Sequence, residues 1–320
     1  MTPRETCILA AAALKKLAMN QACREAFSKD SLFFKLFASA AQRYLLAANR
    51  DALLPKLNVL AEKGYALSVE YVGEENADSA VVQRFINEYL TSIQPFADAG
   101  LKPQLSFDLS AVGLALSQNT AYKNAAAIIS AAAAHDMPVM ISMERAASVD
   151  RILEVYGELA PVHANVGVTI QAYLHRTLDD LPKILHYGRK VRLVKGVYNE
   201  PEAVALPRGE ALDQRYLGLL DMALGAGVPV SCATQDPALI PHILAKSRHS
   251  ANIELEMLHG VQPTLLRQAR EAGLPCRTYG VYGESWYLHF LHRLAESPEE
   301  ILGALADFSD PSRVVFAAGY

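Results

Sequence analysis

After Gly64 the chain changes its hydrophobic rhythm. Short apolar, β-prone runs begin to alternate with longer stretches of helical texture. The runs are YALSVEYVG (65–73), QLSFDLS (104–110), PVMISME (138–144), VGVTIQAY (166–173), VRLVKGVY (191–198), VPVSCAT (228–234), NIELEML (252–258) and CRTYGVYG (276–283). Their length and residue types predict strands, and intervening segments such as AVVQRFINEYLTSI and PALIPHILAKS predict helices. Eight evenly spaced strand–helix units predict an α/β fold, a (β/α)8 TIM-like barrel; a doubly wound sheet is the alternative. Before Gly64 the Ala/Leu/Lys/Arg-rich sequence reads as helical, with boundaries expected at Ser28-Lys29-Asp30 and Asn49-Arg50-Asp51. The expected organisation is an N-terminal helical segment, residues 1–64, packed on a barrel formed by residues 65–320.

Composition narrows the class. The 320 residues are 51% hydrophobic, enough for a barrel-sized core. A net charge of −4 gives no electrostatic case for nucleic acid. No apolar run reaches membrane-spanning length, and the start lacks the features of a secretory signal. Cys7, Cys23, Cys232 and Cys276 form no CxxC motif. A reduced, cytoplasmic setting without structural zinc is expected.

A barrel places function at the C-terminal ends of its strands. The polar residues there are Asp108 and Ser110, Ser142 and Glu144, Gln171 and Tyr173, Arg192, Lys195 and Tyr198, Thr234, Gln235 and Asp236, Glu254 and Glu256, and Tyr279 and Tyr282. Most strand ends turn polar, so each is weak evidence alone. Arg192 and Lys195 stand out because both fall inside the apolar run VRLVKGVYNEP, where a buried cation needs a partner or an anionic ligand. After the last strand, ESWYLHFLHRLAES has an apolar stripe, with His289, His292, Arg293 and Glu296 on the other face. That face is either solvated or leans over the pocket. The two histidines lack a carboxylate motif, and no metal is expected.

Several of these stretches resemble the FAD-dependent proline dehydrogenases. VRLVKGVY resembles that family's RLVKGAY strand, CATQD its ATH(D/N), IELEMLHGV its EFQ-x-LHG, SVEYVGEE its LDLLGE, and YGVYGESWYLHFLHRLAES its Tyr…Gly…Tyr-Leu…Arg-Arg-Leu…Glu segment. The similarity runs in order from about residue 65 to 297. It implies a distorted (β/α)8 barrel with preceding helices, and FAD held by Arg192, Lys195, Gly196, Val197, Gln171, Thr234 and Gln235. Arg192 would lie near flavin N5 and Lys195 would address the ribityl or phosphate region. The resemblance further implies a small-molecule amine or imino-acid substrate and a quinone or other electron acceptor. There is no GxGxxG fingerprint for a Rossmann-type site.

The substrate half departs from the pattern. Asp108 stands where the family has Lys, Ser142 where it has Asp (with Glu144 two residues on), and His292-Arg293 where it has Arg-Arg. Tyr198, Tyr279, Arg293 and Glu296 match. Lys to Asp shifts formal charge by two units, Arg to neutral His by one more, and Asp to Ser returns one. The pocket is then two units more negative than a proline site. The expected activity is oxidation of an amine C–H to an imine by hydride transfer to flavin N5. Arg192, Tyr279, Ser142 and Glu144 are the candidate catalytic residues, and Asp108, Tyr198, Tyr279, His292, Arg293 and Glu296 the candidate substrate contacts. A prolyl-like, cyclic-amine or diamino compound is expected in place of free L-proline. Alternatively, Asp108 pairs with Arg293 and only shapes the pocket. Two other readings stay open: a non-catalytic FAD-binding relative, and a barrel lyase forming a Schiff base at Lys195.

Overall fold

A computed structural model describes residues 3–18, 20–26, 31–72, 78–296 and 298–320. The boundary expected at residues 28–30 and the GEE of SVEYVGEE lie outside the described residues, as does the side chain of Glu296.

Among the described residues nine strands form one parallel sheet: β1 (Leu45–Ala47), β2 (Ala66–Tyr71), β3 (Gln104–Phe107), β4 (Val139–Ile141), β5 (Val166–Gln171), β6 (Val191–Val194), β7 (Val230–Ala233), β8 (Ile253–Leu258) and β9 (Cys276–Tyr282). Strands β2 to β9 pair in sequence order, and β9 pairs back to both β8 and β2, closing an eight-stranded barrel. The expected fold is therefore the observed one, and each predicted run contains one barrel strand. Helices follow every barrel strand, from Ser79–Asp98 after β2 to Tyr287–Glu296 after β9.

Local chemistry explains where the helices begin. Asp78 accepts a hydrogen bond from Ala80 N, Ser117 from Thr120 N, and Asn49 from Ala52 N. Each side chain satisfies an amide that has no partner inside the first turn. The Ser79–Asp98 helix then buries Val82, Phe85, Ile86, Tyr89, Ile93 and Phe96, a stripe at helical spacing, against the sheet.

One strand lies inside the segment expected to be all helical. β9 is longer than β8: its first half, to Tyr279, pairs with β8, and its last residues pair with β1 (Leu45 opposite Val281, Ala47 opposite Tyr282). β1 takes the edge of β9 that β8 leaves. Exposed backbone donors and acceptors at that edge would otherwise lack partners. Here the barrel is distorted, and a second apolar cluster forms from Tyr44, Leu45, Val281, Trp286, Phe290 and Leu294. The Tyr287 hydroxyl donates to Leu17 O at 3.0 Å, tying the first helix to the helix after β9.

Candidate active site

The barrel interior is polar. Near its base, Glu254 accepts Nε of Arg277 at 2.7 Å and Lys190 at 2.5 Å, with Ser231 also bonded to it. Burial alone would raise the Glu254 pKa, but the two cations override it and hold it at about 2. One layer higher, Arg192 is 4% exposed and bidentate to Glu256, Nε–Oε2 at 2.9 Å and Nη2–Oε1 at 3.0 Å. Arg192 also donates to Ser106 Oγ at 2.8 Å and lies over the Tyr279 ring at 4.7 Å. Ser68 donates to Glu256 at 2.6 Å and accepts from Gln104 at 3.1 Å, completing the layer. Burial works to raise the Glu256 pKa, and Arg192 and Arg277 outweigh it, so Glu256 stays an anion.

Above this layer, at the C-terminal strand ends, opens a cavity of 1270 Å³. Asp108, Ser142, Glu144, Gln171, Arg192, Lys195, Gly196, Val197, Tyr198, Thr234, Gln235, Tyr279, His292 and Arg293 all line it. The cavity lining therefore includes every residue with a described side chain that the sequence named as a catalytic, cofactor or substrate contact. The face of the Tyr287–Glu296 helix bearing His289, His292 and Arg293 leans over the cavity, and Arg293 is 9% exposed. Burial, with Arg293 and His292 nearby, holds the His289 pKa well below its usual value.

The two cations of VRLVKGVY part company. β6 ends at Val194, so Lys195 sits past the strand, salt-bridged to both Asp213 and Asp236. Each cation already has protein carboxylates for partners. Two salt bridges also occupy the ammonium that a Schiff-base lyase would need as a free amine.

The same lining offers polar groups with no protein partner. Gln171 Nε2 donates to Glu144 O at 2.8 Å, while its buried Oε1 has no hydrogen-bond partner. Thr169 Oγ1 and Gln235 Oε1 are likewise buried and unbonded. Buried polar atoms are nearly always paired, and these three residues line the cavity, so their atoms suit contacts to a bound polar molecule. Gly196 has φ +114°, and a Cβ there would stand 2.2 Å from the Tyr173 ring. Only glycine lets the backbone pass this close.

Next to Gln171, past the ends of β3 and β4, Ser110 N donates to Glu144 Oε1 at 3.0 Å. Ser142 bonds the carboxyl of Glu70, a residue the sequence reading passed over. Burial, then Asp108, Glu144 and Glu70 together, push the Tyr198 pKa far up, so three carboxylates crowd this phenol. Arg145 lies over the Tyr198 ring at 5.4 Å. Among the described residues no group of three His, Cys, Asp or Glu side chains has the arrangement of a metal site.

The family model for proline dehydrogenase matches residues 53–297. The chain belongs to the proline dehydrogenase family. It is an oxidoreductase of the proline dehydrogenase type, acting on a CH–NH group. It is 30% identical over 262 residues to proline dehydrogenase 1 of Bacillus subtilis strain 168, covering 81% of this chain and 87% of that protein. It is 31% identical over 269 residues to the proline dehydrogenase of Deinococcus radiodurans, covering 81% and 86%. The fold is similar to that of proline utilization A from Bdellovibrio bacteriovorus inactivated by N-propargylglycine. That match has a TM-score of 0.74 and 20% identity, covering 88% of this chain and 35% of the longer one. A mutant of proline utilization A from Bradyrhizobium japonicum gives 0.68 and 21%, covering 87% and 32%. The chain thus spans about a third of those two proteins. Among the described residues no helix is long and apolar enough to cross a membrane.

Within the proline dehydrogenase family pattern, Glu256 adds a departure that the sequence tally left out. In IELEMLHGV it occupies the Gln of EFQ-x-LHG. The extra negative charge is spent on Arg192. Glu70 likewise occupies the Asp of LDLLGE. Glu256 was legible as a charge inside an apolar strand, the signal that singled out Arg192.

Proposed function

We propose that this proline dehydrogenase family member uses FAD to oxidise an amine C–H to an imine, on a substrate other than free L-proline. The fit to FAD rests on the chain's own residues. The unbonded Gln171 Oε1, Thr169 Oγ1 and Gln235 Oε1, the glycine cradle at Gly196 and the size of the cavity suit a large polar planar cofactor with a small substrate beside it. Gln171, Arg192, Gly196, Val197, Thr234 and Gln235 would hold it, with Lys195 braced by Asp213 and Asp236 at the far side. Bound FAD supplies the hydride acceptor, and a quinone or other acceptor takes the electrons onward. The protein's part is position and charge: Arg192, fixed by Glu256 and Ser106, places a cation at the layer beneath the cavity.

The observation that carries the substrate reading is the charge on the Tyr198 side of the cavity. Asp108, Glu144 and Glu70 act together on Tyr198, and Asp108 and His292 stand where the family pattern has cations. A free amino-acid carboxylate there loses two of three cations and meets an anion instead. Losing one buried charged contact costs about 2–5 kcal/mol. A cyclic amine, a diamino compound or a prolyl group with a masked carboxylate avoids that cost. The test is to purify the protein, count the flavin released per chain on denaturation, and screen amines for anaerobic bleaching of the bound flavin. Flavin that one of these classes bleaches supports the reading. A protein that neither carries nor takes up flavin refutes it.

A further inference from the structure

Glu70 lies on β2, where alternation sends Ser68 and Glu70 to the barrel interior. Ser68 is spent on Glu256. Glu70, one layer higher and opposite Ser106 of β3, reaches the cavity that Asp108 and Ser142 also line. Compared with the family stretches, β2 carries a carboxylate one methylene longer, and the end of β4 carries a hydroxyl in place of a carboxylate. The two changes fit each other: the Ser142 hydroxyl bonds the Glu70 carboxyl. Two carboxylates at that distance would share a proton and split their titrations. A serine hydroxyl donates to an ionised carboxylate and accepts from a protonated one, so it serves Glu70 in both states.

The surroundings set where that exchange occurs. Protein surrounds the Glu70 carboxyl even though it keeps contact with cavity solvent, and burial is the largest influence, raising its pKa. Arg192 and the Ser142 bond oppose it, and the balance falls at about 7. Arg192 opposes it only in part because Glu256 of β8 already pairs with that guanidinium. The other titratable groups facing this region are Asp108 and Glu144 after β3 and β4, and Tyr89 of the Ser79–Asp98 helix. Tyr198 after β6 and Tyr279 and Tyr282 of β9 complete the strand side. His289, His292 and Arg293 face it from the helix over the mouth.

We propose that Glu70 is the proton acceptor of the reaction, taking the proton that the substrate ammonium must lose before its neighbouring C–H can be oxidised. This rests on the amine-oxidation reading above. An N–H bond breaks, its electron pair stays on nitrogen, and an O–H bond forms on Glu70. The C–H bond then breaks with both electrons leaving as hydride to the flavin, and the nitrogen pair closes the C=N bond. Glu70 later returns its proton to water.

The experiment uses flavin-loaded protein and pyrrolidine, a cyclic amine without a carboxylate. Anaerobic bleaching by pyrrolidine is followed from about pH 5 to about pH 9 in the wild type, Glu70→Gln and Glu70→Asp. The wild-type rate should fall about tenfold per unit below a break near neutrality. Glu70→Gln should lose the break and run at least about a hundredfold slower at the alkaline end; Glu70→Asp should keep a displaced break. In parallel, acid-minus-base infrared spectra of the unreacted protein should show a carboxyl band with a near-neutral midpoint that Glu70→Gln removes. A Glu70→Gln enzyme that keeps the wild-type break, or a Glu70 carboxyl titrating in the ordinary range, overturns the proposal. A colourless protein overturns the flavoenzyme reading instead, and the infrared titration still decides whether Glu70 is the poised carboxyl.

Discussion

Reversing the charge of the substrate wall should turn the protein toward proline. Asp108 and His292 line the cavity beside Arg293, which is 9% exposed and so shielded from bulk screening. Asp108→Lys adds two units of positive charge and His292→Arg adds one, against the neutral histidine. Each buried charged contact regained by a carboxylate is worth about 2–5 kcal/mol. At the lower figure one contact is about thirtyfold in kcat/KM and two are about a thousandfold. The two sites share one ligand and will not add fully, so the expected gain lies between those limits. Ser142 is left in place to keep the Glu70 bond intact. The assay is stopped-flow anaerobic reduction of the bound flavin by L-proline, with flavin content and thermal unfolding as controls for folding. A double variant that binds flavin and unfolds like the wild type, yet improves on proline by less than about threefold, refutes the charge argument.

Three further outcomes follow from the geometry. Gly196→Ala places a methyl group 2.2 Å from the Tyr173 ring at φ +114°; it should cost about 1–3 kcal/mol of stability and most of the bound flavin, read by thermal unfolding and flavin count. Glu254→Gln leaves Arg277 and Lys190 without their carboxylate and should cost about 3–5 kcal/mol in denaturant unfolding. Because the Glu254 pKa is depressed to about 2, its stabilisation is complete above the ordinary carboxylate value of 4.5 and is lost as pH falls toward 2; the variant should lack that part of the wild-type acid sensitivity. Ser142→Ala removes a bond that favours ionised Glu70, so the pH break of pyrrolidine oxidation should move to higher pH.

The barrel was legible because each strand carries its own signal: a short β-prone run with a helix-length segment after it. β1 carries none. Leu45-Leu46-Ala47 is three residues inside a helical texture, and it is a strand only because β9 outruns β8. The site was legible as a rim but not as a set of pairs. Lys195 looked like a ligand cation because its partners, Asp213 and Asp236, are 18 and 41 residues further along. Glu256 and Arg192, 64 residues apart, meet across β7, and only strand order reveals it. Glu70 was hidden by its ordinariness, since a polar residue at every second position is what any strand shows; its meaning appears once Ser142 and Arg192 are seen around it.

We propose a flavin-bearing barrel in which an acidic wall stands where the family pattern has a carboxylate-binding one. Side-by-side anaerobic bleaching of the bound flavin at alkaline pH, with L-proline in one cell and pyrrolidine in the other, compares the same ring with and without its carboxylate. The account predicts that pyrrolidine is the faster reductant. Rapid bleaching by L-proline with little or none by pyrrolidine would contradict it.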